Sequence, residues 1–168
     1  VAAIGALASE RSVELFEATG VFSRPEITSR CNIAFEGYSK ALAIEAQSAL
    51  GIASTIVLPA ALQHQERCAN AVIALRNGAP GIEIRRQEEN LRLLAGRIEE
   101  LMGAIDALQQ TSDQAESFEE PLDEQAALYR DSVIPAMKRT RAACDELEQL
   151  VGDDLWPLPK YREMLFIH

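Results

Sequence analysis

Two histidines, His64 and His168, and three cysteines, Cys31, Cys68 and Cys144, are the side chains best suited to metal ligation or nucleophilic chemistry. Their spacing assembles neither. A di-metal site in a helical bundle needs inward-facing Glu-x-x-His pairs, and the residue three before His64 is Ala61. His64 therefore reads as a helix-surface or internally satisfied histidine. The cysteines lie far apart and form no Cys-x-x-Cys, which removes thiolate zinc sites and thioredoxin-like exchange. An odd, unpaired set fits reduced thiols in a cytoplasmic protein, each packed as a small apolar side chain. The paired carboxylates Glu88-Glu89, Glu99-Glu100 and Glu119-Glu120 could attract cations. Glu88 with Arg92 is instead an ordinary i,i+4 ion pair, and such runs read as solvated helix faces. Glycines are scattered singly, so no phosphate-cradling loop and no Gly-x-Ser-x-Gly elbow occurs. No catalytic, cofactor-binding or metal-binding residue is assigned.

Composition narrows the class further. The chain has 168 residues, enough for one medium domain with a real core, and a formal charge of −10. Nucleic acid is disfavoured, because a binder neutralises phosphates with clustered Lys and Arg. An anionic membrane surface is disfavoured for the same reason. No apolar stretch reaches the ~18 residues that would suggest a membrane span. Aromatics are 5%, while alanine (26), leucine (19) and glutamate (19) dominate. That is the composition of long helices rather than of a sheet. The opening run Val1–Ala8 has a signal-like apolar core without a basic flank or initiator Met, and reads as a cut end inside a longer protein.

The pattern predicts one all-α domain over 1–168, an elongated antiparallel bundle. A short helix over 1–19 stops at Gly20, a suitable residue just past a helix end. Ser23-Arg24-Pro25-Glu26 combines a Ser-x-x-Glu capping box with an early-turn proline. A helix from 24 to 77 follows, kinked at Pro59, whose missing N–H and bulky ring disturb the preceding turn. Its reach is roughly 80 Å. A third helix, 82–111, carries Ile84, Gln87, Leu91, Leu94, Ile98, Leu101, Ile105 and Leu108 in alternating steps of three and four, a heptad seam with one polar layer. A fourth, 121–151, repeats the seam with Leu122, Ala126, Tyr129, Val133, Ala136, Thr140, Ala143, Leu147 and Leu150, widened by Met137, Cys144 and Val151. It is kinked at Pro135. Short loops make the last three helices run up, down and up, with both prolines at nearly one height. Residues 153–168 hold the only tryptophan, Trp156, between prolines that prevent the helix from continuing. They read as a cap on the bundle end.

The run Tyr129-Arg130-Asp131-Ser132-Val133-Ile134-Pro135-Ala136-Met137 is followed by Arg141-Ala142-Ala143-Cys144-Asp145-Glu146-Leu147-Glu148 and by Leu155-Trp156-Pro157-Leu158-Pro159-Lys160-Tyr161. Together these words closely resemble the carboxyl-terminal end of type III glutamine synthetases. Val13-Glu14-Leu15-Phe16-Glu17, Gly20-Val21-Phe22-Ser23, Ser29-Arg30, Ile44-Glu45-Ala46 and Leu58-Pro59-Ala60 fall in the same family order. Agreement is weakest from about 77 to 121. The chain departs from the family pattern at Cys31-Asn32-Ile33 and at Lys160 and Arg162.

The resemblance implies a parent enzyme that joins glutamate and ammonia with ATP and magnesium or manganese, as a cytoplasmic ring-shaped oligomer. It places the catalytic machinery upstream of these residues, so this chain is expected to be a non-catalytic helical region serving assembly or regulation. The expected partners are the upstream catalytic domain of the same chain and neighbouring subunits, with no nucleic acid and no membrane. A stand-alone helical adaptor that binds partner helices in a groove is the alternative.

Overall fold

The computed structural model describes residues 1–159. The end of the expected cap, Lys160 to His168, lies outside the described residues. Five helices and no strand occur among the described residues. Helix α1 is Ala2–Leu7 and α2 is Glu10–Ala18. Helix α3 runs Arg24–Gly78, 55 residues in all, and α4 is Arg85–Glu116. Helix α5 comprises Leu122–Leu128, a wide turn at Tyr129–Val133, and Ile134–Glu148.

Residues 1–19 thus form two helices where one is expected. Ser9 is the reason: its backbone is extended and its hydroxyl accepts from the Ser12 N–H, so it starts a new helix. Gly20 ends α2 as expected, at φ +66°, with Val21 N–H donating to Phe16 and Gly20 N–H to Glu17. That pair of bonds is a Schellman stop. The Ser23 box forms in part. Glu26 accepts from the Ser23 N–H at 2.8 Å and from its hydroxyl at 2.7 Å. Those two bonds hold the Glu26 carboxyl below its ordinary range.

Both internal prolines are handled alike. The wide π turns Ala53–Val57 and Tyr129–Val133 end two residues before Pro59 and Pro135, respectively. Leu58 N–H reaches back five residues to Ala53, and Ile134 N–H to Tyr129. The expected kinks are therefore realised as one loosened turn each. The extra residue gives the proline ring room beside the carbonyls of Thr55 and Asp131, with which it would clash in a regular helix. Ser54 and Thr55 hydroxyls donate to Leu50 and Gly51 carbonyls, both at 2.6 Å, where the first turn widens.

Helix α4 outruns its expected end at 111 because Thr111 turns its hydroxyl onto the Ala107 carbonyl at 2.9 Å. The helix then continues to bury Ala115. Helix α5 stops short of 151: the Leu150 and Val151 N–H groups both fold onto the Leu147 carbonyl. Gln87 is exposed, so the polar layer predicted for the α4 seam does not exist. The apolar seam itself holds, with Leu94, Ile98, Leu101 and Leu108 buried. In α5, Ala126, Tyr129, Val133, Ala136, Thr140 and Leu147 are buried at the expected spacing.

Contacts concentrate in two compact units: Val1–Ser48 with Ala107–Lys138, and Ala49–Asp106 with residues from Arg139 onward. In the first, Val13, Ile27, Cys31, Phe35 and Ala126 form a core covered by Val1, Ile4, Leu7, Phe16 and Phe22. Phe16 and Phe22 meet edge-on with centroids 5.6 Å apart, and Arg30 lies 4.4 Å over the Phe22 ring. The second unit is built on Ala53, Val57 and Ala61 of α3, Leu94, Ile98 and Leu101 of α4, and Leu147 of α5. Small residues on α3 face large ones on α4. Thr140, buried in this unit, donates to the Ala104 carbonyl at 3.2 Å.

Helix α3 also holds an 18-residue window of mean hydropathy 1.6, of which 28% is buried. By length and composition that window could cross a membrane, which corrects the expectation that no apolar stretch reaches that length: dispersed polar residues masked it. Outward-facing Ile33 and Ile44, each 66% exposed, belong to the same helix.

Leu101→Asp places an unpaired charge in a fully buried seam position and should destabilise the protein by about 4 kcal/mol or more. Exposed Glu99→Ala should stay within about 0.5 kcal/mol of wild type. Urea melts of the two variants check both values.

Candidate functional site

The one histidine–cysteine contact among the described residues lies in the second unit. His64, Arg67 and Cys68 occupy little more than one turn of α3, and the i,i+4 spacing sets His64 and Cys68 on one face. Cys68 Sγ is 3.6 Å from His64 Nε2. Beyond α5, the Gly152 carbonyl accepts from the N–H groups of Leu155 and Trp156, at 2.9 and 3.0 Å. That turn sends the Trp156 indole into the core of Val57, Ala61, Leu94 and Leu147, leaving it 9% exposed. From Asp153 to Pro159 the chain folds back so that Trp156 is buried in this core.

The same turn brings Asp154 over α3, where its Oδ2 accepts from Arg67 Nη1 at 2.5 Å. The Arg67 hydrogen bond, then the Arg67 charge, with a smaller field from His64, hold the Asp154 carboxyl below its ordinary range. A side chain at Gly152 would meet Asp154 Oδ1 at 2.9 Å and the His64 ring at 3.8 Å. Any side chain there would crowd the Asp154 carboxylate, and glycine leaves that room.

His64, read from sequence as surface or satisfied, is half-buried with its Nε2 on a thiol. Cys68 is half-buried, whereas Cys31 is 3% exposed with its Sγ on the Ile4 carbonyl at 3.7 Å. Burial foremost, with Asp145 beside it, pushes the Cys144 thiol up to about 11. All three thiols are free. The acidic pairs stay apart. Glu88 bridges Arg76 and Arg92, Glu100 pairs with Arg97, and Glu119 and Glu120 lie exposed in the turn before α5. A separate cavity of 420 Å³ in the first unit is lined by Gly5, Thr28, Cys31, Asn32, Phe35 and Pro121, among others. Glu120 and Asp123 line it beside Cys31, but among the described residues no three His, Cys, Asp or Glu side chains group so as to hold a metal ion. Sequence reading missed the His64–Cys68 pair because it tested each residue for ligands three positions away. A check of His-x-x-x-Cys on a helical face would have found it.

No oxygen-donor group suited to magnesium or manganese occurs among the described residues. Those cations want several convergent oxygen ligands, and no three His, Cys, Asp or Glu side chains among the described residues gather around one point. The positive-φ glycines, Gly20 and Gly81, sit in interhelical turns.

The profile of the glutamine synthetase C-terminal domain matches residues 1–76. A type-3 glutamine synthetase of Dictyostelium discoideum is 32% identical over 166 residues, which is 95% of this chain and 22% of that protein. Over nearly its whole length the chain is similar to part of a type-3 glutamine synthetase, and its first 76 residues match the glutamine synthetase C-terminal domain. A glutamine synthetase of Bacteroides fragilis is 27% identical over 149 residues, 87% of this chain and 20% of its own. One from Butyrivibrio fibrisolvens is 27% identical over 158 residues, 94% and 22% respectively. The chain therefore spans about a fifth of the length of these relatives. The profile covers α1, α2 and nearly all of α3, while the relatives also align across α4, α5 and the tryptophan turn. The C-terminal words around Pro135 and Trp156, which first suggest the family, lie beyond the profile match.

The Asp154–Arg67 pair yields a pH test. A depressed folded pKa stabilises the native state above the unfolded value of 3.8, and that contribution vanishes as pH falls through the lower folded value. Asp154→Asn should lower Tm slightly at pH 7, because the pair is exposed. The gap to wild type should close as pH drops below 3.8. A gap that does not narrow at all as pH falls below 3.8 would show that the carboxylate charge is not what holds the turn.

Proposed function

We propose that this chain is the non-catalytic, carboxyl-terminal helical module of a type III glutamine synthetase, working in assembly or regulation of the parent enzyme. The observation that carries the reading is the alignment: nearly the whole chain corresponds to about a fifth of a type-3 glutamine synthetase, leaving most of that protein to supply the chemistry. The parent reaction, glutamine from glutamate, ammonia and ATP with magnesium or manganese, then belongs to residues outside this chain. Its place is the cytoplasm.

The physical features support a structural role. The described residues present long helices with apolar seams, a buried tryptophan and no convergent metal donors. The outward Ile33 and Ile44 of α3 suit contact with protein, either the catalytic part of the same polypeptide or a neighbouring subunit.

Purified residues 1–168 should form no glutamine from glutamate, ammonia and ATP, and should show no ATP-dependent shift in Tm. Cross-linking of the full-length oligomer should give links from α3 to the catalytic part or to another subunit. Saturable ATP binding by residues 1–168, or a full-length oligomer without such links, would overturn the reading.

A further inference from the structure

The three thiols occupy three different environments, and the assembly role uses none of them. Cys31 is sealed in the first core with its Sγ engaged by the Ile4 carbonyl. Cys144 is held protonated, its thiol pushed up to about 11 by burial and by Asp145. Cys68 alone combines partial exposure with an imidazole nitrogen 3.6 Å from its sulfur. The Asp154 carboxylate lies within electrostatic reach of the His64 ring. Two donors do not make a metal site, but a partly exposed thiol with a base within reach does make a nucleophile with a place for its proton.

We propose that Cys68 is a modification site, a thiol served by His64 as proton acceptor and reactive towards low-molecular-weight disulfides of the glutathione class. The Cys68 proton passes to His64 Nε2, and the thiolate attacks one sulfur of the disulfide. The new sulfur–sulfur bond forms as the old one breaks. The departing thiolate takes the proton back from His64, leaving a mixed disulfide on Cys68 and one free small thiol. No further oxidant is needed, since the disulfide is itself reduced.

The position gives the modification a structural effect. Cys68 packs against the same core that Trp156 plugs. A tripeptide-sized adduct on Cys68 competes for the space in which Asp153–Pro159 is seated. Oxidation therefore loosens the plug, and a reducing thiol restores it.

The test treats the full-length protein, natively folded, with glutathione disulfide and follows occupancy at each cysteine by peptide mass spectrometry. Cys68 should be modified at least about tenfold faster than Cys31 or Cys144. His64→Gln should slow Cys68 by about fivefold or more while leaving the far-ultraviolet circular dichroism and Tm unchanged, since it removes the proton acceptor. Cys68→Ser should abolish the fast phase, which guards against reading a misfolded His64 variant. Equal rates at the three cysteines, modification of Cys68 only in denaturant, or an unchanged rate in a folded His64→Gln protein would each overturn the proposal.

Discussion

Everything in this fold depends on carrying a helix past a proline. Helix α3 supplies Ile27, Cys31 and Phe35 to one core, and Ala53, Val57 and Ala61 to the other. A regular helix would lose a hydrogen bond and clash at Pro59. A helix that stopped there would take Ala61, His64, Cys68 and Val72 with it. The wide turn at Ala53–Val57 resolves the conflict locally. Helix α5 meets the same problem at Pro135 and answers it in the same way. The alternatives are costly: a broken helix forfeits the downstream burial, whereas a loosened turn gives up part of the backbone bonding over a few residues.

Apolar packing rather than charge holds each unit together. The ion pairs among the described residues are mostly well exposed; Arg67–Asp154 and Arg24–Glu10 leave half or more of each side chain in water. Such pairs contribute little. Each fully buried leucine or valine of the seams contributes on the order of 1.5–3 kcal/mol, so Leu94, Leu101 and Leu147 with Val57 outweigh the charges. What the charges do is place things. Arg67 guides the turn that delivers Trp156, and Glu10 and Glu17 hold Arg24 at the start of α3.

The seams were legible because burial and periodicity are one fact seen twice: a residue every three or four positions must face the same side. Leu94 to Leu108 and Ala126 to Leu147 fall where the spacing puts them. Gln87 was misplaced because periodicity has no amplitude at a helix end, where the neighbouring element no longer covers the face. The wide turns escaped because proline announces a disturbance without saying which backbone solution absorbs it. The break at Ser9 was hidden by the Ala-rich run before it, which favours helix at every position. Of the candidate site, the individual residues were visible but their meeting was not. Asp154 and Gly152 come to His64 and Arg67 through a turn some 85 positions away in sequence, a long-range contact that no local pattern encodes.

The loosened turn at Ala53–Val57 also sets how this chain tolerates insertions and deletions. Removing one residue there would restore a regular ladder, yet everything downstream would rotate by about 100° about the helix axis. Ala61 would swing away from Leu94 and Leu101, and the His64–Cys68 face away from the tryptophan turn. Two independent neighbours thus read the phase of the second half of α3. A frame-preserving loss of one codon in this stretch, harmless in a surface loop, would leave the helix intact and its partners misaddressed.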